Sequence, residues 1–285
     1  ITTPPRYQPD DRSLSDFKVG SRYFFTGNQM KEHEEKFGLL QNKIKGKVLY
    51  NELNRSLYSS GASLYRVKPL AIVQPQSKED VVKTVKFASE HKIPITARGG
   101  GTSRAGNELG DGILIDYSKN LNQIIEMNPD EQWVRVQPGM VLAELNRQLK
   151  PHKLFFPIDP STKDSATLGG MIANNSSGPH AVKYGTTRAH VHSLELILSN
   201  GEIIQTGKKA LRVDIPAKHS AAGTLEGQIY REVSECINKY DEYLEQERPF
   251  TSKNSCGYFI WDLQTENLLD LTPLLVGSEG TLALV

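Results

Sequence analysis

The feature that most constrains this chain is the run PITARGGGTSRAGN at residues 94–107, three consecutive glycines between a short apolar segment and Thr-Ser-Arg. Lacking Cβ atoms, Gly99, Gly100 and Gly101 can reach positive φ and bring backbone N–H groups close to a ligand. A concave row of such groups suits phosphate oxygens. The neighbouring residues narrow the choice. A P-loop needs Gly-Lys-Ser/Thr opening a helix, and no Lys follows Gly106. A G-x-G-x-x-G dinucleotide fingerprint also opens a helix, and here position 104 is Arg. The chain instead runs on into Gly112-Ile113-Leu114-Ile115-Asp116, which reads as a strand. The expectation is a strand–loop–strand phosphate cradle, set against the plainer reading of a glycine-rich turn.

A second Gly/Ser/Asn-rich segment, DPSTKDSATLGGMIANNSSGPHAVKYG, occupies residues 159–185, and VGSEGTL occupies 276–282. YSSGASLY at 58–65, IVQP at 72–75 and VQPG at 136–139 complete the series. Any one unit is weak, but their order and spacing carry weight. Together they resemble the FAD-linked oxidase family, whose FAD-binding domain is of the PCMH (vanillyl-alcohol-oxidase-like) type. Within it the chain is most similar to bacterial D-lactate and D-2-hydroxyglutarate (glycolate oxidase subunit-like) dehydrogenases, some with a fused iron–sulfur domain. The likeness covers residues 53–285. It implies an α+β fold of two subdomains with FAD in the groove between them.

The resemblance also implies roles. Gly99, Gly100, Gly101, Thr102 and Ser103 would bond the FAD diphosphate, mainly through backbone N–H groups with the hydroxyls assisting. Gly106 and Asn107 would close the turn. Many relatives tether FAD through a His in this loop; Thr102 and Ser103 occupy that region, so non-covalent FAD is expected. Thr167, Gly169 and Gly170 match a T-x-G-G unit at a helix start that would offer free N–H groups to the diphosphate. Asn175, Ser177 and Gly178 match an N-x-G-G region, with Ser177 where many relatives have Gly. Tyr184 and Gly185 complete that loop. Glu279 and Gly280 match an S-E-G unit near the adenosine half. Some positions keep two readings. Arg98 pairs with the diphosphate or with a structural carboxylate. Pro138 and Gly139 approach the cofactor or form a plain strand-to-helix turn. Tyr184 is a site residue or core, and Glu279 a site residue or part of a solvated turn.

No catalytic residue is assigned. In the resembled family a hydride passes from the substrate Cα to flavin N5, and a C-terminal cap domain supplies the acid–base and carboxylate-binding groups. The chain stops at Leu284-Val285, inside what reads as a strand. The expectation is the FAD-binding part of a dehydrogenase or oxidase for a D-2-hydroxy acid of the D-lactate, D-2-hydroxyglutarate or glycolate class, inactive without its cap. A sugar or alcohol oxidase of the same fold and a non-catalytic flavin-binding module remain alternatives. The electron acceptor stays open between an iron–sulfur domain and a respiratory chain.

Composition excludes other classes. Lys plus Arg number 34 against 33 Asp plus Glu, so the net charge of +1 gives no electrostatic footprint for nucleic acid. No apolar run approaches the ~18 residues of a membrane span, and no N-terminal export signal is visible. The expected location is cytoplasmic, with peripheral attachment at the inner face of the membrane left open. Cys236 and Cys256 form no C-x-x-C and fall short of the about four thiolates an iron–sulfur cluster takes. They read as ordinary reduced cysteines. His190 and His192 would share one face of a strand but lack a third ligand, so no metal is expected. His180 reads as a loop surface residue in preference to a flavin contact.

Residues 1–52 read as a mostly helical accessory leader, 53–130 as a first FAD-binding subdomain and 131–285 as a second. Strands are expected at 71–73, 93–97, 112–117, 123–127 and 132–136. Helices are expected at 77–91, 141–149, 167–173 and 227–247; in the first, Ser77 caps a run with Val81, Val82, Val85 and Ala88 at helical spacing. Asn200-Gly201 signals a hairpin between 192–198 and 202–206. Residues 249–273 read as irregular.

Overall fold

A computed structural model describes residues 27–210, 224–251, 253–265 and 267–285. Strands β1 (Lys47–Leu49), β2 (Ala71–Gln74), β3 (Ile95–Arg98) and β4 (Ile113–Asp116) form one sheet in the order β1-β2-β4-β3. β1 is antiparallel to β2, and the other neighbours are parallel. Ala71-Ile72-Val73 and Ile113-Leu114-Ile115 are fully buried, so β2 and β4 take the centre, as strands apolar on both faces do. β3 is half-buried and lies at the edge. That edge position is what delivers the glycine loop to an open face.

Helices α1 (Gly27–Lys43), α2 (Glu52–Leu57) and α3 (Lys78–His91) precede and flank these strands. Ser77 caps α3 by accepting the Asp80 N–H, and Lys92 ends it in the left-handed region at φ 54. Val81, Val85, Phe87 and Ala88 of α3 pack with Phe37 and Leu40 of α1 and with Ile44 and Val48. The buried Asp80 carboxylate accepts N–H groups from Lys45 (2.9 Å), Gly46 (2.8 Å) and Gln76 (3.0 Å). The described part of the expected leader is therefore a layer of the first core. A three-residue strand whose partner lies beyond α2 leaves too little periodicity to read.

β5 (Ile124–Asn128) and β6 (Trp133–Val136) form an antiparallel hairpin. The boundary expected at residue 130 thus falls in a turn, within one packing unit. With α4 (Leu142–Leu149) and α5 (Leu168–Ala173), the hairpin encloses a second core of Met140, Leu142, Leu145, Leu149, Ile158, Ala166, Leu168 and Met171. After α6 (Ala181–Tyr184) come β7 (Glu195–Ile197) and β8 (Ile203–Gln205), paired across Asn200-Gly201 with Gly201 at φ +81. α7 (Leu225–Gln246) lays Tyr230 on this hairpin in a third core with Leu194, Leu196 and Leu198. β9 (Lys209–Ala210) pairs with β10 (Leu268–Leu269), and α8 (Thr272–Leu275) follows. Leu284 bonds Ile197 in both directions (2.8 and 3.1 Å), adding the last residues to the free side of β7. No described helix is long and apolar enough to cross a membrane.

Candidate functional site

β3 runs into the glycine loop beside a cavity of about 480 Å³, within the ~300–1,000 Å³ typical of cofactor sites. One wall is the edge of β3 (Ile95, Thr96, Ala97) with loop residues 99–105, Asn107 and Glu108. The facing wall holds Thr162, Ala166, Thr167, Gly170, Met171, Ala173, Asn174 and Ser176, and Glu279 and Gly280 complete the lining.

The backbone N–H groups of Gly99, Gly100, Gly101, Thr102, Ser103 and Arg104 bond to no described residue, and all six residues line the cavity. The cause is topological. The Tyr117 N–H takes the Arg98 carbonyl at 3.0 Å, the last rung of the ladder, and the chain then leaves the free edge of the sheet. Gly101 turns it at φ +66. Six successive uncommitted donors along a cavity wall match the needs of a diphosphate. The glycines also answer to the opposite wall. A Cβ on Gly99 would lie 2.0 Å from Thr167 Oγ1, and one on Gly100 would lie 2.0 Å from the Ser165 carbonyl oxygen.

The expected free N–H groups at the start of α5 are absent among the described residues. Leu168 donates to Met140 (2.8 Å), Gly169 to Pro138 (2.8 Å) and Gly170 to the Thr167 hydroxyl (3.4 Å). Thr167 and Gly170 line the cavity, but as a wall. Gly169 packs on Pro138, and a Cβ on Gly139 would lie 2.1 Å from the Tyr117 carbonyl oxygen. Pro138 and Gly139 are thus a joint between the first and second cores and lie outside the cavity lining.

The Ser103 hydroxyl, expected to assist at the diphosphate, is engaged within the protein. It donates to Asn107 Oδ1 (3.1 Å), and Asn107 Nδ2 donates to Asn174 Oδ1 (3.3 Å), a chain that ties the two walls together. Arg98 is also committed. It donates to the carbonyls of Tyr58 (3.3 Å) and Ser60 (2.9 Å) and covers the Tyr58 ring at 5.4 Å. Its partners are carbonyls, so neither reading from sequence describes it. Tyr58 in turn donates to Asp116 (2.6 Å); burial, then the Asp116 carboxylate, pushes its hydroxyl pKa up to about 12. Gly106, at φ +82, packs against Tyr65 outside the lining.

The rest of the second loop serves the scaffold. Asn175, buried at φ 45, accepts the Arg188 N–H at 3.0 Å. Arg188 holds the carbonyls of Pro273 (3.1 Å) and Val276 (2.6 Å), and Glu279 N–H reaches Ala173 (2.9 Å). This joint brings Glu279 and Gly280 to the cavity. Ser177 accepts from Lys253 (2.6 Å), Gly178 packs on Asp159, and Asp159 pairs with exposed His180 at 2.5 Å. Tyr184 stands edge-on to Phe155, and Gly185 ends α6 at φ +76. None of Ser177, Gly178, Tyr184 and Gly185 lines the cavity. His190 ends a 3-10 turn, with no strand to align it with His192, and its Nε2 lies 2.8 Å from the Tyr184 carbonyl. Among the described residues no three His, Cys, Asp or Glu cluster for a metal, and both cysteines are exposed free thiols.

Sequence reading missed Arg104, Glu108, Met171 and Asn174 in the lining. Asn174 is adjacent to the predicted Asn175, and only the path of the turn decides which faces the cavity. Glu108 is buried, and both its carboxylate oxygens lack a partner among the described residues.

Residues 69–207 match the family described as FAD binding domain. Over 252 residues the chain is 34% identical to D-2-hydroxyglutarate dehydrogenase of Escherichia coli (strain K12), covering 87% of this chain and 25% of that protein. It is 36% identical over 171 residues to glycolate oxidase subunit GlcD of Bacillus subtilis (strain 168), covering 59% of this chain and 36% of that one. It is 39% identical over 157 residues to the mitochondrial D-lactate dehydrogenase [cytochrome] of Arabidopsis thaliana, covering 54% and 26%. The chain therefore spans about a quarter to a third of these relatives. The fold is shared with a solved alkyldihydroxyacetonephosphate synthase (TM-score 0.54, 23% identity, 60% of this chain and 34% of that). It is shared also with Physcomitrella patens BBE-like 1 (TM-score 0.55, 21% identity, 60% and 37%). The α+β class expected from the motifs stands, and FAD is the cofactor the domain takes. The uncommitted N–H row fits its diphosphate.

Proposed function

We propose that this FAD binding domain serves a flavin-dependent dehydrogenase or oxidase of a small D-2-hydroxy acid, and that residues 99–104 hold the FAD diphosphate non-covalently. The six uncommitted N–H groups along one cavity wall carry the reading. When bound, FAD supplies a hydride acceptor for the carbon bearing the substrate hydroxyl. The chain's own part is binding and orientation. Gly99, Gly100 and Gly101 present donors, Thr102 adds a hydroxyl without a partner among the described residues, and Glu279 and Gly280 contribute the remaining side of the lining. The names of the relatives, D-2-hydroxyglutarate dehydrogenase, D-lactate dehydrogenase and a glycolate oxidase subunit, support the substrate class. We place the proton-accepting and carboxylate-binding groups in the length of those relatives that this chain does not match.

The test begins with an absorbance spectrum of the purified chain with added FAD. Oxidised-flavin bands that are retained through desalting and leave as free FAD on unfolding support non-covalent binding. Flavin that stays with the denatured chain refutes it. Protein spanning the relatives' full length should then bleach anaerobically with D-2-hydroxyglutarate, D-lactate or glycolate. Bleaching by sugars or simple alcohols alone overturns the substrate class.

A further inference from the structure

We propose that Arg104 is the cation that binds the FAD diphosphate in this chain; the inference rests on FAD as the ligand of the cavity. The diphosphate is anionic, and backbone donors offer only partial charges. Of the residues lining the cavity, three are charged: Arg104, Glu108 and Glu279. Two of these repel a phosphate, so a compensating cation has one source in the wall. Arg98, the nearer arginine in sequence to the glycines, is excluded by geometry, because both its Nη atoms are held by carbonyls behind the loop.

Arg104 has the opposite situation. It lies at the end of the uncommitted N–H row, it is exposed, and neither its backbone N–H nor its guanidinium bonds to any described residue. The loop around it is fixed. The Ala105 N–H bonds Ser103 Oγ (3.2 Å), and Ser103 is tied through Asn107 to Asn174. The Arg104 backbone is thereby anchored on both sides while its side chain stays uncommitted. A planar guanidinium beside an anionic diphosphate forms charge-assisted bonds, stronger than those of a neutral donor. Such a contact is screened by salt, unlike close packing.

The experiment is an FAD titration by flavin fluorescence of the chain and its R104Q, R104K and R98Q variants, at low and high sodium chloride. R104Q should bind FAD about tenfold more weakly at low salt. The gap should narrow at high salt, and R104K should recover most of the affinity. Melting of the FAD-free chain should not move, because Arg104 bonds no described residue. R98Q should lower that melting temperature, since Arg98 secures the backbone at Tyr58 and Ser60. Equal affinity of R104Q and the parent at low salt overturns the proposal. So does a deficit that salt leaves unchanged, or a salt-sensitive loss in R98Q with unaltered melting. Failure of the parent chain to bind FAD under any condition would count against the cofactor reading itself, a separate result.

Discussion

Gly100→Ala should weaken FAD binding by about 100-fold without touching the ligand directly. The φ of Gly100 is not in the left-handed region, so its backbone tolerates a side chain. What forbids one is the Ser165 carbonyl oxygen, 2.0 Å from where the methyl would sit. That oxygen belongs to backbone and cannot rotate away. The walls must part by roughly 1.4 Å to restore an ordinary van der Waals separation. A displacement of that size takes an N–H···O distance of about 2.9 Å beyond the limit of a hydrogen bond. Losing two bonds to an anionic acceptor, at ~1.5–3 kcal/mol each, removes at least ~3 kcal/mol, or about 100-fold in affinity. The assay is flavin fluorescence titration alongside far-ultraviolet circular dichroism. Gly38→Ala in α1, where the added methyl meets nothing within 4 Å, is the control and should leave FAD affinity unchanged. A natively folded Gly100→Ala chain with FAD affinity within about twofold of the parent would refute the reasoning.

Asp80→Asn should cost roughly 3 kcal/mol at neutral pH, because an amide cannot accept from all three backbone donors of Lys45, Gly46 and Gln76. Burial pushes the Asp80 carboxyl up, but the three N–H groups together hold it below its ordinary value. Its stabilisation is therefore complete above the unfolded pKa of about 3.9 and is lost as pH falls through the folded one. Urea unfolding should show the parent and Asp80→Asn converging below about pH 4, and parallel pH profiles would argue against it. Glu108→Gln should raise the stability of the FAD-free chain by ~1–2 kcal/mol at neutral pH, since it replaces a buried carboxylate whose oxygens lack partners among the described residues. A lower midpoint in the same urea experiment would mean that the carboxylate is held by a donor.

Much of this protein can be read along the chain. Strands β2 to β6 and helices α3, α4, α5 and α7 lie within two residues of where side-chain periodicity and caps put them. Those signals are local, arising from apolar spacing and from Ser77 before its acidic turn. The glycine run likewise announces a backbone that must pass close to something, and its continuation into a second strand, with Arg104 in place and no Lys after Gly106, excluded the two helix-opening phosphate motifs.

What the chain alone could not decide was which partner each group would meet. Half of the residues expected at the site line the cavity, and the rest hold the scaffold together. Arg98 and Arg104 are the same side chain six residues apart; one is committed to carbonyls of the 58–60 loop and the other is not. The helix-start donors at Leu168 and Gly169 look free in sequence, yet Met140 and Pro138 take them. Conversely, the N–H groups of the glycine loop stay uncommitted because β3 ends up at the edge of its sheet. Sequence determined the local conformations and the residue types a phosphate cradle needs. Only the tertiary packing decided which donors remain after the protein has satisfied itself, because hydrogen-bond commitment is set by neighbours in space that lie far apart along the chain.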